Sequence, residues 1–501
     1  MENLYHDEFV ALKKDRKTPN IIFDNTIFER AADWIREKGG FSPEMLKEKP
    51  ARDVITETFR ILETAISENI SVEMPDDLTG LLENNAFIFS GLKTYHSLNE
   101  VGLSLIDENG GIKSFERFHE DVAKIDAKYN RNYLYAEYNH AVTSSQMASK
   151  WHDFEQDGDR YDLQYRTAGD ERVREEHQRL HNTTLPLNDP FWSQFLPPNG
   201  WNCRCTAVQV RKGKYPLSDS EQAIKTGKEI TADPKKQIFR FNPGKELKIY
   251  PDKHPYNKAP EKVKKIVEKL AEEIKTPEQA VSFIQESKVR QTWFERGFSS
   301  LIATTEKGLN GYTDMNGLIA LATEKLKYVL SGLTKLRRGG EVTFEEADAL
   351  ATFWHEITHN RNKPGNEHLT TLATQYMELA NEFVARKTLS EFYESFGGKI
   401  QYPELTDNRE STGYNRWVRN YCKAIELTGA NANEVLDAVR EHLFTQPYTK
   451  QKEGLVNALI KGGAHKADGK KLMKFDTGEI VKMSLRYSEE MFEKYLESIT
   501  R

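Results

Sequence analysis

Two histidines and a glutamate within one short segment are the residues of this chain best suited to chemistry. The segment LATFWHEITHNR, Leu350–Arg361, places His355 and His359 four residues apart and Glu356 between them. Imidazoles at this spacing share one face of a helix and can bind one zinc ion, and the glutamate can take a proton from a metal-bound water. The alternative interpretation is a solvated helix with two surface histidines.

The flanking residues predict that a helix carries this segment. Thr343 followed by Glu346 is a capping-box pattern, which marks a helix start. Pro364 and Gly365 end the run of helix-forming residues. The two imidazoles are therefore expected on one helical face.

A third ligand is needed for a metal site. The metzincin pattern is excluded, because it needs glycine and histidine where this chain has Asn362 and Gly365. His368 lies beyond the predicted helix break. A second helix is predicted over Thr370–Tyr393, and it offers Glu378 and Glu382, one turn apart.

The sequence EFVA at Glu382–Ala385 resembles the E-x-x-A pattern around the third ligand of gluzincin metallopeptidases. This resemblance favours Glu382 as the third zinc ligand with His355 and His359, and leaves Glu378 as the alternative. One zinc ion and Glu356 as general base then predict hydrolysis of peptide bonds.

The histidine motif does not identify the substrate-binding strand or the side chains that stabilise the oxyanion. The segment Asn316–Thr323 could form an edge strand that holds an extended substrate, or a buried helix. His442, His465 and Tyr487 are candidates to stabilise the oxyanion, and nothing in the sequence ranks them.

Composition limits the kind of protein that surrounds these residues. A chain of 501 residues is expected to contain several domains, and its net charge of −6 argues against a general nucleic-acid binder. No apolar stretch reaches the length of a membrane helix, and the first residues lack the apolar core of a secretion signal. Three cysteines form no disulfide framework, so synthesis in a reducing cytoplasm is expected.

Changes in residue composition and apolar periodicity along the chain predict its domain organisation. Residues 1–128 read as a helical N-terminal region, in which Ile55, Phe59, Leu62 and Ile66 form an apolar stripe. Residues 129–250 read as a small α+β domain, 251–284 as a proline-containing linker with a charged helix, and 285–501 as a mostly helical domain with the histidine pair. The predicted fold class is α+β, mainly helical and multidomain.

The most distinctive sequence motifs of the chain lie between Arg166 and Cys205. This middle segment contains RTAGDERVREEH at Arg166–His177, DPFW at Asp189–Trp192 and PPNGWNCRC at Pro197–Cys205. These blocks resemble the phage Mu F-like minor head, or head-morphogenesis, family. The resemblance implies a head component near the portal that contacts portal and capsid proteins, and the packaged DNA at most indirectly. It also implies that the protein resides in the virion and is made in the bacterial host cytoplasm.

The same segment holds residue types that bind zinc. His177, Cys203 and Cys205 could form a structural metal site. They could equally pack in a small core with Phe191, Trp192 and Trp201, because C-x-C is not the usual C-x2-C spacing.

Together these features predict a phage or prophage minor capsid protein with a fused zinc-dependent peptidase domain, which acts on a peptide or protein substrate. Two alternatives stay open. One is a purely structural, portal-associated head protein whose histidine motif is inactive. The other is a toxin delivered by the phage.

Overall fold

The chain divides into two compact units. A computed structural model describes residues 22–363, 369–409, 413–466 and 468–500. The first unit spans Met1–Glu272 and the second spans Glu273–Arg501. The four predicted segments divide the chain more finely than these two units do, and that division stays a prediction.

The first unit is mainly helical and includes one small sheet. A π-helical turn at Ala127–Tyr133 joins its fourth and fifth helices. Its helices are α1 (Asn25–Lys38), α2 (Lys49–Ser67), α3 (Asp76–Ser104), α4 (Phe115–Asp126), α5 (Leu134–Asp157), α6 (Glu175–Gln178), α7 (Pro190–Phe195), α8 (Ser220–Ile230), α9 (Pro234–Gln237), α10 (Pro243–Glu246) and α11 (Glu261–Ala271).

Amphipathic helices build the larger core of this unit. The predicted stripe of α2 is buried, with Ile55, Phe59, Leu62 and Ile66 each at most 6% exposed. The charged helix α11 also packs here, through an apolar face that includes Val267. A helix whose apolar residues recur at this spacing buries one face and leaves its charges in water.

An antiparallel sheet of three strands lies in a second, smaller core of the unit. The strands are β1 (Tyr161–Arg166), β2 (Thr184–Pro186) and β3 (Thr206–Arg211), in the order β2-β1-β3. Leu163 of the central strand pairs with Leu185 and Gln209. Helix α5 contributes Met147 and Trp151 to the same core, so the sheet is covered on one face by this helix.

The second unit combines a small mixed sheet with a set of helices. The strands are β4 (Ser300–Thr304), β5 (Gly311–Thr313) and β6 (Leu318–Ala322). The helices are α12 (Pro277–Gln285), α13 (Lys288–Gln291), α14 (Thr323–Arg338), α15 (Phe344–Arg361), α16 (Thr371–Lys387), α17 (Leu389–Glu394), α18 (Asn415–Leu427), α19 (Ala432–Thr445), α20 (Gln451–Lys461), α21 (Lys474–Arg486) and α22 (Glu489–Thr500).

The sheet order β4-β6-β5 corrects one prediction. Strand β6 pairs with β4 in parallel and with β5 in antiparallel register, so it is the central strand. The prediction that Asn316–Thr323 supplies the edge strand is therefore wrong, and β5 lies at that edge. The apolar run of β6 fits this position, because a central strand of a covered sheet is buried on both faces.

The predicted fold class, α+β and mainly helical in several domains, is confirmed by these elements. Within the described ranges, no helix combines the length and apolar character that crossing a membrane requires.

Candidate functional site

Helix α15 carries the histidine pair through the middle of the second unit. It begins at the predicted capping box, where Thr343 Oγ1 accepts from Glu346 N at 3.3 Å and Glu346 Oε2 accepts from Thr343 N at 2.7 Å. Its residues from 346 to 360 are all buried, and His355 and His359 are 7% and 8% exposed. The interpretation of this segment as a solvated helix with surface histidines is therefore wrong.

The two imidazoles meet a carboxylate of the neighbouring helix α16. His355 Nε2 and His359 Nε2 lie 3.0 Å apart. Glu378 Oε2 lies 3.4 Å from the first and 3.3 Å from the second of these nitrogens. Three lone-pair atoms on two helices thus converge on one point.

Glu382 reaches the opposite side of one imidazole. Its Oε2 atom lies 2.7 Å from His355 Nδ1, while its Oε1 atom accepts from Arg386 Nε at 2.7 Å and lies 3.5 Å from Arg409 Nη1. The structure therefore brings Glu378, the alternative candidate, to the two Nε2 atoms. The favoured candidate, Glu382, lies behind His355.

A zinc ion fits the first group of atoms. Zinc–nitrogen and zinc–oxygen bonds of about 2.1 Å at tetrahedral angles place ligand atoms about 3.4 Å from each other. The observed separations are 3.0, 3.3 and 3.4 Å. Glu378 Oε2 is buried without a well-aligned hydrogen bond from the described residues, and the same is true of Glu382 Oε2 and His355 Nδ1.

Glu356 is held next to this group by strand β5. Thr313 Oγ1 donates to Glu356 Oε2 at 2.9 Å and lies 2.8 Å from its carbonyl oxygen. Gly311 permits the close approach, since a Cβ there would lie 3.0 Å from Glu356 Oε1 and 2.9 Å from the Ala320 carbonyl oxygen. The predicted catalytic side chain therefore has a fixed orientation.

Neighbouring charges and burial compete in setting the protonation of these carboxyls. Burial alone would raise the pKa of Glu378, but the charges of His359 and His355 and their hydrogen bonds together outweigh it and hold that pKa well below its usual value. Glu382 shows the same competition: burial acts to raise its pKa, and Arg409, His355 and Arg386 together hold it low. For Glu356 burial prevails and raises the pKa, which suits a group that must accept and release a proton.

A cavity of about 440 Å³ opens onto these groups. Strand β5 and the turn before it form one wall, and three tyrosines, Tyr312, Tyr414 and Tyr448, contribute their rings. Tyr414 lies beside Glu378, where burial and a hydrogen bond to that carboxyl raise the pKa of its hydroxyl. Tyr448 receives a hydrogen bond from Arg296.

The predicted oxyanion candidates lie elsewhere. His442 Nε2 is 2.9 Å from the Lys450 carbonyl oxygen, His465 Nδ1 is 3.2 Å from that of Gly463, and Tyr487 packs against Tyr495. As far as the chain is described, none of the three lines the cavity. His368 falls outside the described residues.

A second group of possible ligands lies in the first unit. His177 Nδ1 is 3.6 Å from the sulfur of Cys203 and 3.6 Å from that of Cys205. A hydrogen bond from Cys205 and the charge of His177 hold the pKa of Cys203 well below its usual value, although burial acts in the opposite direction. The thiols share their core with Phe191 and Trp192.

Trp201, the third aromatic residue predicted for that core, packs in the larger core of the unit instead. His181 turns away from the thiols, and its Nδ1 atom accepts from Thr167 N at 3.2 Å.

Comparison with known proteins identifies part of this first unit. Residues 109–208 match the family described as Phage Mu protein F like protein. The match runs from the turn before α4 into strand β3, and it confirms the resemblance of the middle segment to the Mu F family.

Two relatives match over short stretches of Mu F-like sequence. The chain is 55% identical over 42 residues to "Putative capsid assembly protein F" of Escherichia phage Mu, which covers 8% of this chain and 10% of that protein. It is 35% identical over 82 residues to "Mu-like prophage FluMu F protein" of Haemophilus influenzae, which covers 13% of this chain and 20% of that protein. The chain thus spans a fifth or less of each relative's length. No solved structure matches it.

Proposed function

We propose that this chain is a minor head protein of a Mu-like phage or prophage whose second unit is a zinc-dependent peptidase. The Mu F match over residues 109–208 supports the head role. The convergence of His355, His359 and Glu378 beside Glu356 supports the peptidase role. The second of these observations carries the catalytic part of the proposal.

His355, His359 and Glu378 would hold the zinc ion. When bound there, zinc supplies Lewis acidity and lowers the pKa of a coordinated water to about 7. Three protein ligands leave a fourth position free, as catalytic zinc sites require.

The chain's own residues carry the proton transfers. Glu356, oriented by the Thr313 hydroxyl, accepts the proton of the attacking water at its carboxylate and returns it to the leaving amine. Strand β5, at the edge of its sheet and along the cavity wall, offers backbone groups to an extended peptide. Tyr414 and Tyr448 supply hydroxyls that can stabilise negative charge on the carbonyl oxygen of the substrate.

Glu382 acts in this scheme as a positioning residue. Its carboxylate lies at the Nδ1 atom of His355, so it favours the tautomer that carries hydrogen on Nδ1 and leaves Nε2 free for the metal. Arg386 and Arg409 hold the other carboxylate oxygen and fix its orientation. The proposal thus assigns the ligand role to Glu378, although the E-x-x-A pattern favours Glu382.

Cleavage of an unfolded protein by the full chain tests the peptidase. The wild type is expected to cleave it, and Glu356→Gln is expected to retain about one zinc at this site while cleavage is lost. Glu345→Gln, on the exposed first turn of the same helix, is the matched control and should behave as wild type. Undiminished cleavage by Glu356→Gln contradicts the mechanism, and a zinc-loaded wild type without cleavage supports the purely structural alternative.

The head role implies portal and capsid proteins as partners, the virion as location and the host cytoplasm as the place of synthesis. Mass spectrometry of purified particles tests it, since the chain should be present in a few copies with both units intact. Absence from particles, together with cleavage of host proteins by the free chain, would instead support the toxin alternative.

A further inference from the structure

The thiols and imidazole of the first unit form a cluster that the peptidase mechanism does not use. His177 comes from the short helix α6, and Cys203 and Cys205 come from the segment that leads into strand β3. Each sulfur lies 3.6 Å from the same atom, His177 Nδ1. All three side chains are buried, at 4% exposure each.

The alternation of side chains before β3 aims both thiols inward. In an extended chain, residues two apart point to the same side and the residue between them points away. Arg204, the intervening residue, accordingly lies at the surface, where its two Nη atoms each lie 2.6 Å from a carboxylate oxygen of Asp170. The C-x-C spacing, which differs from the usual C-x2-C, therefore presents two sulfurs to one point in this local conformation.

The distances match those of ligands around a common ion. Zinc–sulfur bonds of about 2.3 Å and zinc–nitrogen bonds of about 2.1 Å at tetrahedral angles separate sulfur from nitrogen by about 3.6 Å. Both observed separations have this value. A metal-free hydrogen bond between a thiol and the imidazole spans the same distance, so the cobalt experiment below is needed to separate the two arrangements.

We propose that His177 Nδ1, Cys203 Sγ and Cys205 Sγ bind a structural zinc ion in the Mu F-like part of the chain. Two thiolates neutralise the charge of the ion, and the neutral imidazole adds a third ligand. Among the described residues no further His, Cys, Asp or Glu joins the group, so a fourth ligand would have to be a water molecule.

This ion would cross-link α6 to the loop before β3, segments 26 residues apart in sequence. Arg174 already holds the same loop, because its Nη2 atom donates to the Trp201 carbonyl oxygen at 2.7 Å. Gly200 allows the close approach, since a Cβ there would lie 2.8 Å from Arg174 Nη1. Metal binding by a loop of this kind adds its free energy to folding.

Cobalt(II) distinguishes this cluster from the site in the second unit. Thiolate ligands give cobalt an intense near-ultraviolet charge-transfer band, and the ligands of the second unit contain no sulfur. The metal-free full chain, titrated with cobalt chloride, should develop this band, and the band should be absent from Cys203→Ser/Cys205→Ser. Cys422→Ser is the matched control, because Cys422 belongs to the second unit, and it should retain the band.

A second measurement needs no variant. A mercurial reagent that displaces thiolate-bound metal should release about one zinc per wild-type chain, while zinc bound only by nitrogen and oxygen stays. Cobalt uptake without the band, or no zinc release by the mercurial, would overturn the proposal. Loss of the band in Cys422→Ser with retention in the double variant would overturn it too.

Discussion

Glu378 and Glu382 differ in their surroundings, so replacing each should affect zinc affinity and folding stability to different extents. Glu378 faces both Nε2 atoms and is 17% exposed, whereas Glu382 is 1% exposed and pairs with Arg386 and Arg409. Replacing each by glutamine removes one charge and keeps the shape. Zinc affinity should depend mainly on Glu378, and the stability of the metal-free chain mainly on Glu382.

The expected magnitudes follow from these surroundings. Glu382→Gln should weaken zinc binding about 10–100-fold, the usual effect of changing a residue that orients a ligand, and Glu378→Gln should weaken it by more than about 100-fold. For unfolding without metal, Glu382→Gln removes the carboxylate that Arg386 pairs with and one of the two that Arg409 pairs with, and it should cost about 3–5 kcal/mol. Glu378→Gln removes a carboxylate that faces two imidazoles and no buried guanidinium, and it should cost less than Glu382→Gln.

Both quantities are measured on the full chain. Zinc affinity is obtained by competition with a chromophoric chelator in a background that carries Cys203→Ser and Cys205→Ser, so that the thiol cluster does not contribute. Stability is obtained from urea unfolding of the metal-free proteins. If Glu382→Gln lost more zinc affinity than Glu378→Gln, the assignment of the third ligand would be refuted.

Two further predictions concern the first unit. Gly91→Ala in α3 would place a Cβ 2.6 Å from Val267 Cγ1 of α11 and should lower the free energy of unfolding by about 1–3 kcal/mol. The double variant Gly91→Ala/Val267→Ala should recover part of this loss. An unchanged free energy of unfolding in the single variant would contradict this helix contact. Burial holds the pKa of His254 well below its usual 6.5. Below about pH 6.5 the unfolded state therefore binds a proton that the folded state does not, and the free energy of unfolding should fall as the pH drops. Urea unfolding should show a decrease of up to about 1.4 kcal/mol per pH unit from this group. His254→Gln should reduce that slope, and an unchanged slope would contradict the assignment.

Helix boundaries and buried faces could be predicted well from the sequence where local signals act. The capping box at Thr343 and Glu346 fixes the start of α15 with contacts inside one turn, and the stripe of α2 is a one-helix property. The choice between Glu378 and Glu382 is different. Both lie on the same face of α16, so the outcome depends on how that helix crosses α15, which no short pattern encodes.

The E-x-x-A pattern by itself does not separate them, for a related reason. A pattern of residue types specifies which side chains face the imidazoles, and both carboxylates do so. Glu382 reaches Nδ1 and Glu378 reaches Nε2 of the same ring, His355. Only the position of the ring relative to both carboxylates distinguishes a metal ligand from the residue that orients it.

The tyrosines of the cavity show a further limit of sequence reasoning. Tyr414 immediately precedes α18 and Tyr448 lies in the turn before α20, and neither belongs to a periodic segment or a motif. Their places depend on contacts between distant parts of the chain: the backbone N–H of Arg409, for example, donates to Asn415 Oδ1 at 2.8 Å, next to Tyr414. Arg409 donates to Thr352 Oγ1 at 2.6 Å, and Arg296 donates to Tyr448.

The network around Arg409 explains why the site is built on buried charge. Asp348 and Glu382 both lie beside Arg409, which links the start of α15, the middle of α16 and the segment that leads to Tyr414. Each charge is costly to bury alone, and each is compensated only when all three segments are in place. The geometry that orients His355 is therefore coupled to the packing around Arg409. A substitution in this network should disturb metal binding and folding together, whereas one at Glu378 should weaken metal binding much more than folding.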